Sequence, residues 1–475
     1  MMRRLMCLLF ALPLAAHVGS PDVFYEGMAG PYKLLVTIRP PEVVPGVAEI
    51  EIRSLSPQLQ QIHILPLRLT QQQQFAPVAD LAKPTAADPQ FYTGALWLMA
   101  TGSWQVRIDA DGALGHGTLS APVPALPKRV LAMQKLLAAI LIPIALALVW
   151  GLVSIVGACA REATVEAGKL PTRSSAGRAR RAMAITAIGL GAALWFGWSW
   201  WNSEDAFYRQ YVFKPLRLNA TVQGSQLRLH LENPQWLHRV TDDLLPDHGH
   251  LMHLYVIRIP AMDRVWHLHP DRAADGDFEQ QLPDMPAGNY ALFGDIVHEN
   301  GLGETATTQL AVPDIHGSPL TGDDAGGSAP PLTQATALTI DSAISGGYHM
   351  VWKRDAAPLH ARQPYIFRFQ IEDAQGKPAP DMELYMGMLG HAAFVRTDLS
   401  VFAHIHPSGS VPMPALALTQ PDNPHAGHMM APEGALSAEV SFPYGFPSPG
   451  AYRIFVQVKH GGTIETGVFD AEVTK

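Results

Sequence analysis

Two stretches of the chain are apolar without interruption, and most of the remainder alternates. Residues 136–160, LLAAILIPIALALVWGLVSIVGACA, carry no charge over 25 positions, long enough at about 1.5 Å per residue to cross a hydrocarbon core of roughly 30 Å. Residues 182–201, AMAITAIGLGAALWFGWSWW, are a second uncharged run, ending in Trp195, Trp198, Trp200 and Trp201 as an interfacial aromatic belt does. Elsewhere apolar and polar residues alternate with period two, as in YKLLVTI (32–38), AEIEIRS (48–54) and SWQVRID (103–109). Pro and Gly punctuate these runs, so they predict short antiparallel strands packed as sandwiches.

The C-terminal part repeats itself. LRLHLEN (227–233) matches FRFQIED (367–373), and HGHLMHLYVIR (248–258) matches MGMLGHAAFVR (386–396). VWHLHP (265–270) then matches VFAHIHP (401–407), and GNYALFGDIVHENG (288–301) matches GAYRIFVQVKHGG (450–462). The order is kept, with an insertion around 413–434 in the second copy. Each copy predicts an independent β-sandwich, with the Pro/Gly/Asp/Ser-rich segment 313–334 as a linker between them.

Charge orients the chain. Between the two apolar runs, six basic residues (Arg161, Lys169, Arg173, Arg178, Arg180, Arg181) face two acids (Glu162, Glu166), so by the positive-inside rule this short loop is cytoplasmic. The leader MMRRLMCLLFALPLAA has a basic start and a short apolar core, as a secretory signal or an uncleaved anchor does. The expected organisation is a signal or anchor over 1–19, a β-sandwich over 20–130, a transmembrane helix over 131–160 and a cytoplasmic loop over 161–181. A second transmembrane helix over 182–201 follows, then the repeats over 202–312 and 335–475. The fold class is therefore mainly β: three extracytoplasmic immunoglobulin-like or cupredoxin-like sandwiches plus two transmembrane helices in a bacterial inner membrane, with most of the chain in the periplasm and the lipid bilayer as one partner. The net charge of −8 gives no overall footprint for nucleic acid. Only Cys7 and Cys159 are present, which excludes a disulfide framework, a thiolate cage and a blue-copper centre.

Seventeen of the twenty histidines lie beyond residue 205. Four pairs occupy equivalent columns of the repeats: His253 with His391, His267 with His404, His269 with His406, and His298 with His460. In both His-x-His-Pro motifs the imidazoles are two residues apart on a predicted strand, so they share a face and can chelate one ion. Strand parity predicts that all four columns converge at one end of each sandwich. His248 and His250 in the first copy are replaced by Met386 and Met388 in the second. Imidazole suits Cu(II) and Zn(II), whereas thioether sulfur selects Cu(I), so this set points to copper, with zinc as the other ion and core packing as the other reading of the two methionines. PHAGHMM, with His425, His428, Met429 and Met430, reads as a solvated loop, with a flexible metal-capture arm as the other reading. His63 and His116 read as ordinary strand or turn residues.

The N-terminal stretch LWLMATGSWQVRIDADGALG (96–115), with Gly30-Pro31-Tyr32 opening a strand, resembles the periplasmic YtkA-like and FixH-like families. The repeats resemble the YtkA-like and CopC-like copper-binding sandwiches in type. The Met-Pro-x-Met segment often found in the former is absent here, so the resemblance does not extend to metal binding by the N-terminal module. Together these features predict a membrane-anchored, non-enzymatic copper-binding protein that exchanges metal with a copper-donating or copper-accepting envelope protein. The alternatives are an envelope scaffold with structural histidines and, through His298-Glu299, a zinc hydrolase. Gly461 replaces Glu299 in the second copy, which weighs against the hydrolase.

Overall fold

In a computed structural model the alternating segments form antiparallel sheets and the two apolar runs form helices. The structure describes residues 22–69, 76–166, 168–332, 339–420 and 435–475. The leader over 1–19 and the histidines and methionines of PHAGHMM lie outside these residues. The protein is mainly β, and its contacts divide it into two units: residues 127–213, and the remainder.

The smaller unit contains helix α1 (Lys135–Glu162) and helix α2 (Arg173–Arg209), each long and apolar enough to cross a membrane. Both run past the apolar stretches into the predicted loop, because the flanking Arg and Ala residues favour helix. Thr172 caps α2, its hydroxyl accepting from the Ser175 N–H at 3.4 Å. At Gly157 an added Cβ would lie 2.6 Å from the Met183 side chain, so glycine permits the close approach of α1 and α2.

In the larger unit, eight strands from Val23–Ala29 to Gly115–Ala125 form one antiparallel sheet. Its first and last strands nearly touch: a Cβ on Gly117 would lie 2.1 Å from the Ala29 carbonyl oxygen. The sheet thus wraps around its own core, with Val36, Ile50, Ile64, Val106 and Ile108 inside.

The repeats share a three-strand centre. In the first, His253–Ile259 lies between Gly288–His298 and Arg264–Leu268. In the second, His391–Arg396 lies between Gly450–His460 and Phe402–Ile405. One face of each centre packs within its own sandwich, through Leu254, Val256 and Leu292 in the first and Ala392, Phe394 and Val456 in the second. The opposite faces pack on each other: Tyr255, Ile257 and Phe293 join Ala393, Val395, Phe402 and Phe455 in one cluster. Phe293 and Phe402 stack across this seam at 4.4 Å.

The repeats are therefore not the independent sandwiches that the sequence predicts. LYVIR and AAFVR are apolar on both parities, and such a strand stays soluble only when both faces are covered. The predicted linker also differs. Within 313–334, strand Ala325–Ser328 pairs with Arg264–Leu268. Gly327 lies so close to the other repeat that a Cβ would sit 2.6 Å from Thr466. The glycines that suggest a flexible spacer instead let a strand slip into the seam.

Candidate metal centre

The seam ends in histidine. Along His253–Ile259, residues 253, 255 and 257 face the other repeat, as do 265, 267 and 269 after the intervening turn. The second repeat does the same with 391, 393 and 395, and with 402, 404 and 406. Two three-histidine groups result, each with its donor atoms within 4.8 Å of one another: His248, His391 and His406, and His253, His267 and His404. Each group draws its histidines from both repeats, whereas the sequence suggests one group per copy. His250 and His269 complete the cluster, their rings 4.1 Å apart.

His248 arrives on a tight turn. Asp247 and His250 exchange backbone hydrogen bonds of 2.8 and 2.9 Å, with φ of 50° at His248 and 89° at Gly249. Two successive positive φ values define the mirror-type hairpin turn. The second repeat builds the same turn with Met386 (φ 51°) and Gly387 (φ 77°) between Tyr385 and Met388. Met388 is buried and Met386 half-buried.

Hydrogen bonds set the imidazole tautomers. A carbonyl only accepts, so His253 donates Nε2–H to the Asp247 oxygen at 3.0 Å. The Gln457 amide nitrogen donates to Thr466 Oγ1 at 3.3 Å, which leaves its Oε1 to accept from His267 Nδ1 at 2.9 Å. A neutral imidazole has one N–H, so both protons are used. His253 Nδ1 and His267 Nε2 then face each other at 3.1 Å as lone pairs, an arrangement that a shared cation relieves. Metal-bound histidines characteristically donate their other N–H to a carbonyl or carboxylate. His404 Nδ1 follows the pattern at 3.4 Å from Asp295, as does His269 Nδ1 at 3.1 Å from Asp324. His269 Nε2 and His391 Nε2 are buried without a hydrogen-bond partner among the described residues.

Burial keeps these rings neutral and ligand-competent. It pushes His253, His267, His391 and His406 well below the ordinary imidazole value, and the neighbouring histidines push the same way. His269 is lowered by burial against the pull of Asp324. Burial raises the Asp247 carboxyl to about 7, opposed by His404.

His298 and His460 do not join the cluster. They share parity with Ile296 and Val458, which face the sandwich interiors. His298 Nδ1 lies 2.6 Å from Asp243, and His460 Nε2 lies 2.8 Å from Asp381. The predicted convergence of four columns therefore holds for three: the strands have two buried faces, and the parity argument chose the wrong one for the fourth. Sequence reasoning also missed Asp247, Asp295, Gln457 and the linker residues Asp323 and Asp324. Asp295 and Gln457 occupy equivalent columns, but differ in type, and this hid them.

Residues 342–475 match a family described as a domain of unknown function (DUF8832). No curated protein matches the chain. Among solved structures, similarity is found to the methylamine-reacted alpha-2-macroglobulin of Salmonella (9% identity, TM-score 0.20, covering 97% of this chain and 24% of that one). It is found also to the native alpha-2-macroglobulin of Escherichia coli (10%, 0.20, 97% and 23%) and to latent PorU of Porphyromonas gingivalis (7%, 0.14, 96% and 34%). The chain spans about a quarter of the macroglobulins' length, and at these TM-scores the superpositions carry no argument.

Proposed function

We propose that this chain is a membrane-anchored bacterial envelope protein that binds copper through histidines shared between its repeats, for copper trafficking or tolerance. The observation that carries this reading is the facing of His253 Nδ1 and His267 Nε2, whose other nitrogens are committed to Asp247 and Gln457. Two acceptors at the ends of a two-imidazole chain orient both lone pairs inward. A scaffold role for the histidines explains their burial but not this orientation.

Copper is favoured among the ions that suit imidazole because the Irving–Williams order places Cu(II) above Zn(II) for a given nitrogen site. The basic loop between α1 and α2 supports a periplasmic side for the histidine-rich repeats. Fusion of alkaline phosphatase after residue 475 gives activity on this reading, and fusion near residue 172 gives none.

The test is to purify the full chain in detergent without a histidine tag, offer it equimolar Cu(II) and Zn(II), desalt it, and measure both metals. The reading predicts retention of copper in preference to zinc, up to one ion for each three-histidine group. Retention of neither metal contradicts it.

A further inference from the structure

A cavity of about 160 Å³ opens against the histidine cluster, and all three sandwiches wall it. Ser103 and Trp104 come from the N-terminal sandwich, Asp295 and Thr305 from the first repeat, and His404 and His406 from the second. Among the described residues the N-terminal sandwich offers no histidine to the two groups, yet it is fastened to them. Glu26 N–H donates to the Ser408 carbonyl at 2.7 Å, and Ser410 N–H to the Phe24 carbonyl at 2.9 Å. These bonds hold the turn that follows His406. Gly409 is required there, since a Cβ would lie 2.0 Å from the Phe24 oxygen. Just beyond it, Ala415 and Leu416 of helix α3 (Met413–Thr419) are buried in the N-terminal core.

Three protein ligands leave a metal ion one coordination position for an outside molecule, the arrangement of reactive rather than purely structural sites. His404 and His406, one from each three-histidine group, stand on the cavity wall. The volume is close to that of an apolar cavity of about 150 Å³ that holds benzene. Its wall is mixed: Trp104 and Val123 are apolar, whereas Asp295 and Glu304 are carboxylates. Asp295 accepts from Thr305, and Glu304 pairs with Arg239. Carboxylates disfavour an anion and accept from an N–H or O–H.

We propose that this cavity admits a small neutral ligand, of benzene size or less and carrying a lone-pair nitrogen or oxygen beside an N–H or O–H, to the bound copper, with the N-terminal sandwich as its outer wall. The inference rests on the copper reading and gives the N-terminal sandwich a part in the site.

The probes are imidazole, which fits the cavity, benzimidazole, which is larger than the benzene-sized guest proposed, and azide as the anionic comparison. Each is titrated into the intact Cu(II)-loaded chain in detergent, with the visible copper absorption as readout and copper content measured in parallel. Imidazole is expected to shift the absorption saturably, and benzimidazole and azide to act at least roughly tenfold more weakly, because an oversized or charged guest fits such a cavity poorly. Ser103→Phe fills the cavity from the N-terminal side and should abolish the imidazole response at unchanged copper content. Leu69→Ala enlarges it and should admit benzimidazole, which keeps the test open if the first variant does not fold. Copper uptake without a saturable imidazole response, or the same response to all three probes in every folded variant, overturns the ligand site alone. A chain that takes up no copper overturns the metal centre and the ligand site together.

Discussion

Gln457, in the second repeat, accepts a hydrogen bond from His267 of the first at 2.9 Å. Its counterpart in the first repeat, Asp295, lies 3.4 Å from His404 of the second. Each repeat thus orients a clustered histidine of the other. Such supporting residues typically set metal affinity by about ten- to a hundredfold. Gln457→Ala is therefore expected to weaken copper binding by about that factor while the saturated stoichiometry is unchanged, as measured by chelator competition. Unaltered affinity would show that the His267 orientation does not depend on this bond.

His248 and Met386 occupy the same turn position, with φ of 50° and 51°. Methionine is thus already accommodated in that backbone conformation, and His248→Met changes donor chemistry with little change in strain. Thioether sulfur favours Cu(I) and imidazole Cu(II). The variant is expected to lose Cu(II) affinity by tenfold or more, an order-of-magnitude figure, and to keep most of its Cu(I) affinity. Parallel competition with a chelator for each oxidation state measures this, and equal losses in both states would remove His248 from the ligand set.

The metal-free chain should be acid-labile. His253, His267, His391 and His406 are held neutral by burial, with pKa values well below the ordinary one. Below the unfolded value of about 6.5 the unfolded chain takes up protons that the folded chain refuses. Stability is therefore full above that pH and falls as pH drops toward the folded values. The slope is about 1.4 kcal/mol per pH unit for each such histidine. Denaturant midpoints of the metal-free chain at pH 7.5 and 5.5 check this, with a lower midpoint expected at 5.5. Equal midpoints would mean that the rings protonate without unfolding.

Alternation and punctuation disclosed the strands, and uninterrupted apolar runs disclosed α1 and α2, because these patterns are local. The candidate ligands His253, His267, His391 and His404 are legible as repeated columns on strands. What the sequence hid was the face on which the strands meet. Tyr255 and Leu254 are equally apolar neighbours, and only tertiary packing decides that one faces the seam and the other a sandwich core. For the same reason His298 looked equivalent to His253. Strand Ala325–Ser328, sequence AGGS, has no strand signal of its own. It forms because Arg264–Leu268 offers an open edge and only glycine fits the gap beside Thr466.

The Asp243–His298 pair, inside the first repeat, provides a contrast. Asp243→Ala leaves a buried imidazole without its 2.6 Å partner, which costs about 1–3 kcal/mol. Chemical denaturation should show that loss, and copper stoichiometry should stay at the wild-type value. A loss of copper with unchanged stability would return His298 to the ligand set.

The most direct measurement is the copper content of the intact, tag-free chain carrying His267→Ala, His404→Ala or both, each desalted after saturation with copper. These residues come from different repeats and belong to one three-histidine group. The account predicts that each single variant loses the same ion and that the double variant loses no more than either. Additive losses, with one ion lost per repeat, would contradict a centre shared between the repeats, and copper content unchanged in all three would contradict the histidine centre itself.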